Sequence, residues 1–118
     1  MLAKKYRFHS RGGVRYAYQY GKTLRTSKMS LVFVENTRRF TRFAVVVSRK
    51  VDKRATVRNT IRRRVYEVLR KNMEYIPKSV DYVFVVYSRD IYNMPFKELE
   101  KTLGELVEQS KVCYNKKR

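Results

Sequence analysis

Residues 45–67, VVVSRKVDKRATVRNTIRRRVYE, join a short apolar run to a strongly basic segment. The run Val45–Val47 consists of β-branched residues, which favour a strand. After it, apolar residues recur with the spacing of one helix face. They are Val57, Ile61, Val65, Val68 and Leu69. The stretch therefore predicts a strand, a basic turn and an amphipathic helix over residues 56–72.

The polar side of this helix carries guanidinium groups at four-residue spacing, and a guanidinium can bind a phosphate through two parallel hydrogen bonds. A solvated basic face is the alternative, but only Glu67 offers an acid for pairing within the helix before Glu74. The pattern favours contact with a nucleic acid. The predicted contact residues are Arg49, Lys50, Lys53, Arg54, Arg58, Asn59, Arg62, Arg63 and Tyr66.

The chain as a whole is basic, with 29 Lys and Arg against 10 Asp and Glu in 118 residues, a net charge of +19. Such a charge excludes most small enzymes with mixed surfaces and indicates a polyanionic partner. Residues 1–28 contain no acid, whereas residues 90–110 contain five acids and two lysines. We expect residues 1–28 and the basic residues 49–64 to meet the polyanion, and residues 90–110 to face away from it. The length and the 43% hydrophobic content predict one folded domain, residues 1–118.

Periodicity places the remaining elements and predicts the order αββαβα, an α+β fold with helices against one sheet. The first two strands are expected to pair as an antiparallel hairpin through a turn at residues 36–39. The predicted elements are a helix over residues 11–20 that Gly21 ends, strands over Met29–Glu35, Phe40–Ser48 and Asp81–Tyr87, and a last helix that Pro95 opens.

Residues for catalysis or metal binding are scarce. His9 is the single histidine and Cys113 the single cysteine, which excludes a disulfide framework and argues against a zinc site. The basic segments contain no pair of carboxylates, which a protein nuclease would need for a metal or a proton. We therefore predict no catalytic residue and no metal ligand, with His9 on the surface and Cys113 incidental. No apolar run approaches the ~20 residues of a membrane span, and the composition favours a reducing, cytoplasmic location.

The motif in residues 45–67 resembles the signature of the bacterial ribonuclease P protein subunit. That family combines a strand, a basic turn and a helix reading R-N-x-x-K/R-R, which residues 58–63 match. The resemblance extends over nearly the whole chain, including Gly21-Lys22 and Ile76-Pro77-Lys78. Two positions depart from the pattern. The turn at residues 51–54 is one residue longer and lacks the usual glycine, and Tyr66 stands where many members have arginine.

The resemblance implies an αβββαβα sandwich with a mixed central sheet and a left-handed βαβ crossover, ribosomal protein S5 domain 2-like, against the usual right-handed rule. It implies a protein subunit that binds the catalytic RNA and precursor tRNA and supports endonucleolytic removal of the 5′ leader. The RNA subunit would carry out the hydrolysis, with Mg²⁺ in the holoenzyme and no cofactor on the protein alone. Neither a membrane nor DNA is an expected partner.

The resemblance also implies a cleft for the 5′ leader between the first helix, the sheet and the second helix. The family's leader-contacting helix positions correspond to Val14 and Tyr18, and Phe33 is a third candidate, on a strand. Unpaired bases stack on aromatic rings at roughly 1–3 kcal/mol per base. Alternatively, such rings fill the core.

Two other classes of protein are alternatives, and the first of them, a structural ribosomal protein, would share the charge, the size and the α+β architecture. A structural ribosomal protein would bind one rRNA site and need no leader cleft. A DNA-binding regulator would need a recognition helix on a symmetric dimer, and the sequence shows no dimer seam. Co-purifying RNA would distinguish the three classes.

Overall fold

The computed structural model describes residues 6–7, 11–36 and 40–115, with side chains for 6–7, 14–36 and 40–111. Its elements follow the order αβββαβα, which confirms the fold that the resemblance implied. Short 3₁₀ turns at Met73–Tyr75 and Arg89–Tyr92 flank the last strand. The helices and strands are α1 (Arg11–Tyr20), β1 (Lys22–Arg25), β2 (Met29–Glu35), β3 (Arg42–Val47), α2 (Ala55–Lys71), β4 (Val80–Val86) and α3 (Phe96–Asn115).

The strands form a mixed sheet in the order β1-β2-β4-β3. β2 runs antiparallel to β1 and β4, whereas β3 runs parallel to β4. The expected hairpin between β2 and β3 is therefore wrong, because β4 lies between them. β4 is apolar on both faces and takes the central place that such a strand favours. α2 makes the crossover between the parallel strands β3 and β4. The left-handedness of this crossover stays an expectation.

β1 is the element that periodicity alone missed. Its four residues, KTLR, contain one apolar side chain, Leu24, which pairs in register with Leu31 of β2. A tight turn joins the two strands. The hydroxyl of Thr26 donates to the carbonyl of Met29 at 2.8 Å and accepts its N–H at 3.1 Å.

Helices cover both faces of the sheet, and the two faces bury different amounts of apolar surface. α2 and α3 pack on one face, where Leu31, Phe84 and Ile61 belong to the main core. On the other face, Ala17 of α1 packs in a small cluster with Val32, Ala44 and Val83. The predicted apolar stripe of α2 is buried as expected, from Val57 to Leu69. Among the described residues, no helix is long and apolar enough to span a membrane.

Gly21 sets the close approach of α1 to the sheet. Its N–H donates to the carbonyl oxygen of Ala17 at 2.7 Å and ends the helix. A Cβ at this position would lie 2.4 Å from that oxygen and 2.7 Å from the carbonyl oxygen of Phe33. Only glycine avoids this clash, so residue 21 fixes where the side chains of α1 stand over β2 and β4.

Candidate nucleic-acid interface

The first turns of α2 present the predicted guanidinium groups, and backbone carbonyls hold two of them. Arg58 donates from Nη1 to the carbonyl oxygens of Asp52 at 3.0 Å and Lys53 at 2.9 Å. Arg62 donates to Oδ1 of Asn59 at 2.7 Å and to the carbonyl oxygen of Val47 at 3.3 Å. These bonds join the helix to the end of β3 and to the turn that follows it.

The turn between β3 and α2, residues 48–54, is organised around Asp52, whose carboxylate is buried. Oδ1 accepts the backbone N–H of Arg54 at 2.8 Å and its Nε–H at 3.1 Å, and Oδ2 accepts its Nη2–H at 3.0 Å. Arg89, in the turn after β4, donates to Oδ2 at 3.5 Å. The hydrogen bonds from Arg54 lower the pKa of Asp52 to about 2, so the carboxylate is ionised at neutral pH.

The structure brings eight of the nine predicted basic-segment residues together on the turn and the exposed side of α2. We call these eight residues the basic surface. Arg89 joins its edge, although the sequence reasoning missed it. The one available signal was an acid in an otherwise basic turn, which needs a partner. The eight residues are Arg49, Lys50, Lys53, Arg54, Arg58, Asn59, Arg62 and Arg63.

The ninth predicted residue, Tyr66, is only 4% exposed and belongs to the main core, so its predicted RNA contact is wrong. Burial raises the pKa of its hydroxyl, which hydrogen-bonds to the backbone of Val45. The physical reason is the drift of a four-residue row around a helix. Each step of four residues advances about 400°, so the three steps from Arg54 to Tyr66 rotate the side chain by about 120°. That rotation turns the ring under α2, toward β3.

A second candidate surface lies where α1 crosses the sheet. Val14 is partly buried against the small cluster, as are Val46 and Val85, whereas Tyr18 is 50% exposed. Partial burial, and secondly the neighbouring Tyr87, raise the pKa of the Tyr18 hydroxyl. Tyr87 is itself exposed and donates its hydroxyl proton to Oγ of Ser30. We call Val14, Tyr18, Val46, Val85 and Tyr87 the α1 face.

Phe33 does not belong to the α1 face, so its predicted leader contact is wrong. Its side chain is 0% exposed in the main core, and its ring centroid lies 6.4 Å from that of Tyr82. Its neighbour Val32 is the residue that points toward α1. Successive strand residues point to opposite faces, so a shift of one position moves a side chain from one surface to the other. The expected leader contacts of Val14 and Tyr18 stay predictions.

The two surfaces meet at the end of β4. Tyr87 belongs to the α1 face, and Arg89, two residues later, reaches the carboxylate of Asp52. Arg64 holds this segment against α2, because its guanidinium donates to the carbonyl oxygens of Ile91 at 2.6 Å and Tyr92 at 2.9 Å. A ligand that crosses the end of β4 would therefore touch both surfaces.

The second buried carboxylate among the described residues, Asp81, lies at the start of β4. Asp81 accepts two hydrogen bonds from Arg42, at 3.0 and 2.7 Å, and one from Asn36 at 2.7 Å. Within the described part of the chain, no three His, Cys, Asp or Glu side chains come together as metal ligands would. His9 and the side chain of Cys113 lie outside the described residues. α3 packs with α2 on the face of the sheet opposite α1, so the sheet separates the acids of α3 from α1. That the last segment faces away from the polyanion stays a prediction.

Comparison with known proteins identifies relatives over most of the chain. The family model described as Ribonuclease P matches residues 2–111. The ribonuclease P protein component of a Cyanothece species is 35% identical, over 89% of this chain and 95% of that protein. The one from Petrotoga mobilis is 33% identical, over 83% of this chain and 75% of that protein.

Solved structures show the same fold. The RNase P protein from Thermotoga maritima superimposes with a TM-score of 0.80 at 27% identity, covering 87% of this chain and 96% of that one. The RNase P protein of Staphylococcus aureus superimposes with a TM-score of 0.79 over 91% of this chain and 96% of that one. At 19% identity, the second likeness concerns the fold alone.

Proposed function

This chain belongs to the ribonuclease P protein family, and on that premise we propose that it binds the catalytic RNA and the 5′ leader of precursor tRNA. It thereby supports endonucleolytic removal of the leader during tRNA maturation. The basic surface binds the phosphate backbone of the catalytic RNA. The α1 face binds the unpaired leader.

The observation that carries this proposal is the way in which the basic surface is held. Arg58 and Arg62 each donate to backbone carbonyls outside α2, so their guanidinium groups are oriented before any RNA binds. Orientation lowers the entropy that long side chains lose on binding. On a basic face that is only solvated, the side chains would not need such bonds to the neighbouring turn and strand. Guanidinium groups fixed in this way suit phosphates whose positions are set by a folded RNA.

The α1 face suits a different part of an RNA. Tyr18 offers a half-exposed ring beside apolar side chains, and the first acid in the chain is Glu35. Stacking on an aromatic ring accepts any base, which fits a leader that varies in sequence. Because the two surfaces meet at the end of β4, one precursor strand can pass from the α1 face to Arg89 at the edge of the basic surface.

In this proposal the catalytic RNA performs the hydrolysis. The described residues do not fit a resident metal ion, because the buried carboxylates Asp52 and Asp81 both bind arginine. The Mg²⁺ that we expect in the holoenzyme is therefore assigned to the RNA. The protein positions the substrate, and the cytoplasm is the proposed location of the complex.

Binding to two folded RNAs tests the proposal directly. The chain is titrated at matched salt into a bacterial ribonuclease P RNA and into an rRNA fragment of equal length. We expect tighter binding to the ribonuclease P RNA, because the fixed cations match one arrangement of phosphates. Equal affinity would reduce the basic surface to non-specific attraction, and preference for the rRNA would favour a ribosomal role.

A further inference from the structure

Asp52 is the single acid among residues 49–64, where eight basic residues surround it. In a surface that binds a polyanion, a negative charge opposes the long-range attraction. Its presence within this basic segment therefore needs a local reason.

The geometry supplies that reason, because Asp52 gathers two arginines from separate parts of the chain. Arg54 immediately precedes α2, and Arg89 follows β4. Both donate to the same carboxylate, whose side chain is 4% exposed, while the two arginine side chains are 66% and 64% exposed. The carboxylate is thus covered by the two groups that it holds, and their outer edges face solvent.

Donors remain on both guanidinium groups. Each guanidinium has five N–H bonds. Arg54 uses its Nε and Nη2 atoms on Asp52, and Arg89 uses Nη1. Without the carboxylate, two like charges would repel each other, and each side chain would regain its rotamer freedom.

We propose that Asp52 is a positioning residue, which holds Arg54 and Arg89 so that their outer N–H groups bind one phosphate of the RNA. Its own negative charge lowers the long-range attraction to the RNA by one unit of charge. This inference rests on the proposed function. It adds Arg89 to the binding surface. The lowered pKa of Asp52 agrees with it, since the carboxylate is charged at neutral pH.

Asp52→Asn separates this inference from simple electrostatics, because the two make opposite predictions. The substitution raises the net charge from +19 to +20. Charge alone predicts tighter RNA binding with a steeper salt dependence. Positioning predicts affinity roughly tenfold weaker, as for the loss of one charge-assisted contact. It also predicts a slope of log K against log salt that falls by up to about one unit.

Asp90→Asn is the matched control. Asp90 lies beside Arg89, is exposed, and pairs with Lys28 at 3.6 Å. Its substitution changes the net charge by the same amount and leaves the contacts of Asp52 in place. We expect RNA affinity unchanged or tightened by no more than about threefold. Equal behaviour of the two variants would overturn the proposal.

The measurement uses reconstituted holoenzyme, with affinities for the catalytic RNA and for precursor tRNA, because the phosphate can belong to either. Titration at concentrations far above Kd gives the folded fraction of each variant. A loss explained by that fraction, with an unchanged salt slope, would mean that Asp52 only stabilises the fold, and this would also overturn the proposal.

A second pair of variants tests the inference without altering Asp52. Arg54→Gln and Lys53→Gln each remove one exposed positive charge from adjacent positions. Positioning predicts the larger loss of affinity for Arg54→Gln, whereas equal losses contradict it. The wild-type titration comes first. If the wild-type chain binds neither RNA, the proposed function fails, and that result is distinct from any failure of Asp52→Asn.

Discussion

The basic surface and the α1 face differ in how their side chains are held. On the basic surface, hydrogen bonds to carbonyls and to Asp52 hold Arg54, Arg58 and Arg62 in place. On the α1 face, small apolar side chains support a half-exposed Tyr18 without such a network. In the proposed function, the first arrangement suits phosphates in fixed positions, and the second suits bases of varied sequence. One small chain thus presents a rigid surface and an adaptable surface on the two sides of the end of β4.

The largest expected effect comes from removing the rigid cations. The double variant Arg58→Ala/Arg62→Ala should lose roughly 3–6 kcal/mol of binding to the catalytic RNA, since each charge-assisted bond contributes about 1.5–3 kcal/mol. The salt slope should fall by up to about one unit per lost phosphate contact. Filter binding over a range of salt concentrations measures both quantities.

Lys97→Ala/Lys101→Ala is the control for that variant. It removes the same charge from α3, where acids predominate. Its binding and its salt slope should stay near those of the wild type. An equal loss in both double variants would mean that net charge, rather than the arrangement on α2, determines RNA affinity.

The α1 face is tested by Tyr18→Ala. If the ring stacks on the leader, the holoenzyme should lose roughly 1–3 kcal/mol of affinity for precursor tRNA and almost none for mature tRNA. Tyr16→Ala on the same helix, whose exposed ring lies tilted at 45° against that of Tyr20 with centroids 4.7 Å apart, should change neither affinity. If Tyr18→Ala weakens the binding of both RNAs and lowers the melting temperature of the protein, Tyr18 is a structural residue.

Gly21→Ala should separate the two surfaces by displacing α1. The added Cβ overlaps two backbone oxygens, and overpacking of this kind costs about 1–3 kcal/mol of folding free energy. We expect weaker leader binding with nearly normal affinity of the folded fraction for the catalytic RNA. Gly104→Ala on α3 meets nothing within 4 Å and should leave stability equal or raised by up to about 1 kcal/mol. Thermal unfolding measures the stability of both variants. A higher melting temperature for Gly21→Ala than for Gly104→Ala would contradict the assigned close approach of α1 to the sheet.

The smallest expected effect is the pH dependence that Asp52 contributes to stability. Its pKa falls from 3.8 to about 2 in the folded chain, chiefly through hydrogen bonds from Arg54. The carboxylate therefore stabilises the fold above pH 3.8, and this contribution disappears as the pH falls through about 2. The difference in melting temperature between wild type and Asp52→Asn should shrink over that window. A difference that is constant down to pH 2 would show that the charge of Asp52 does not stabilise the turn.

Local periodicity was enough to locate most elements. The terminating Gly21 predicted α1 over residues 11–20, and residue patterns predicted β2 over Met29–Glu35 and the buried stripe of α2; the structure has all three. The pairing of the strands, by contrast, could not be predicted from local sequence. β2 meets β4 across some fifty residues, and no pattern within β2 specifies that partner. β1 carries too few apolar residues to show any alternation.

The site residues also divide into those that local sequence predicts and those that depend on distant parts of the chain. Cations on one helix face follow from spacing, and the predicted row holds as far as Arg62. It fails at Tyr66, where the drift of the row turns the ring into the core. Phe33 failed because the face of a strand depends on a register that only its neighbours determine. Arg89 was missed because its contact with Asp52 joins positions 37 residues apart.

The most direct test of the central claim, that this chain binds and positions while an RNA cleaves, is a cleavage assay at low magnesium. A bacterial ribonuclease P RNA and a precursor tRNA are incubated with and without the chain, and the chain is also incubated with the precursor alone. The account predicts cleavage at the mature 5′ end when RNA and protein are both present, and none with the protein alone. Reproducible correct cleavage by protein free of RNA, or no stimulation of the RNA, would contradict it.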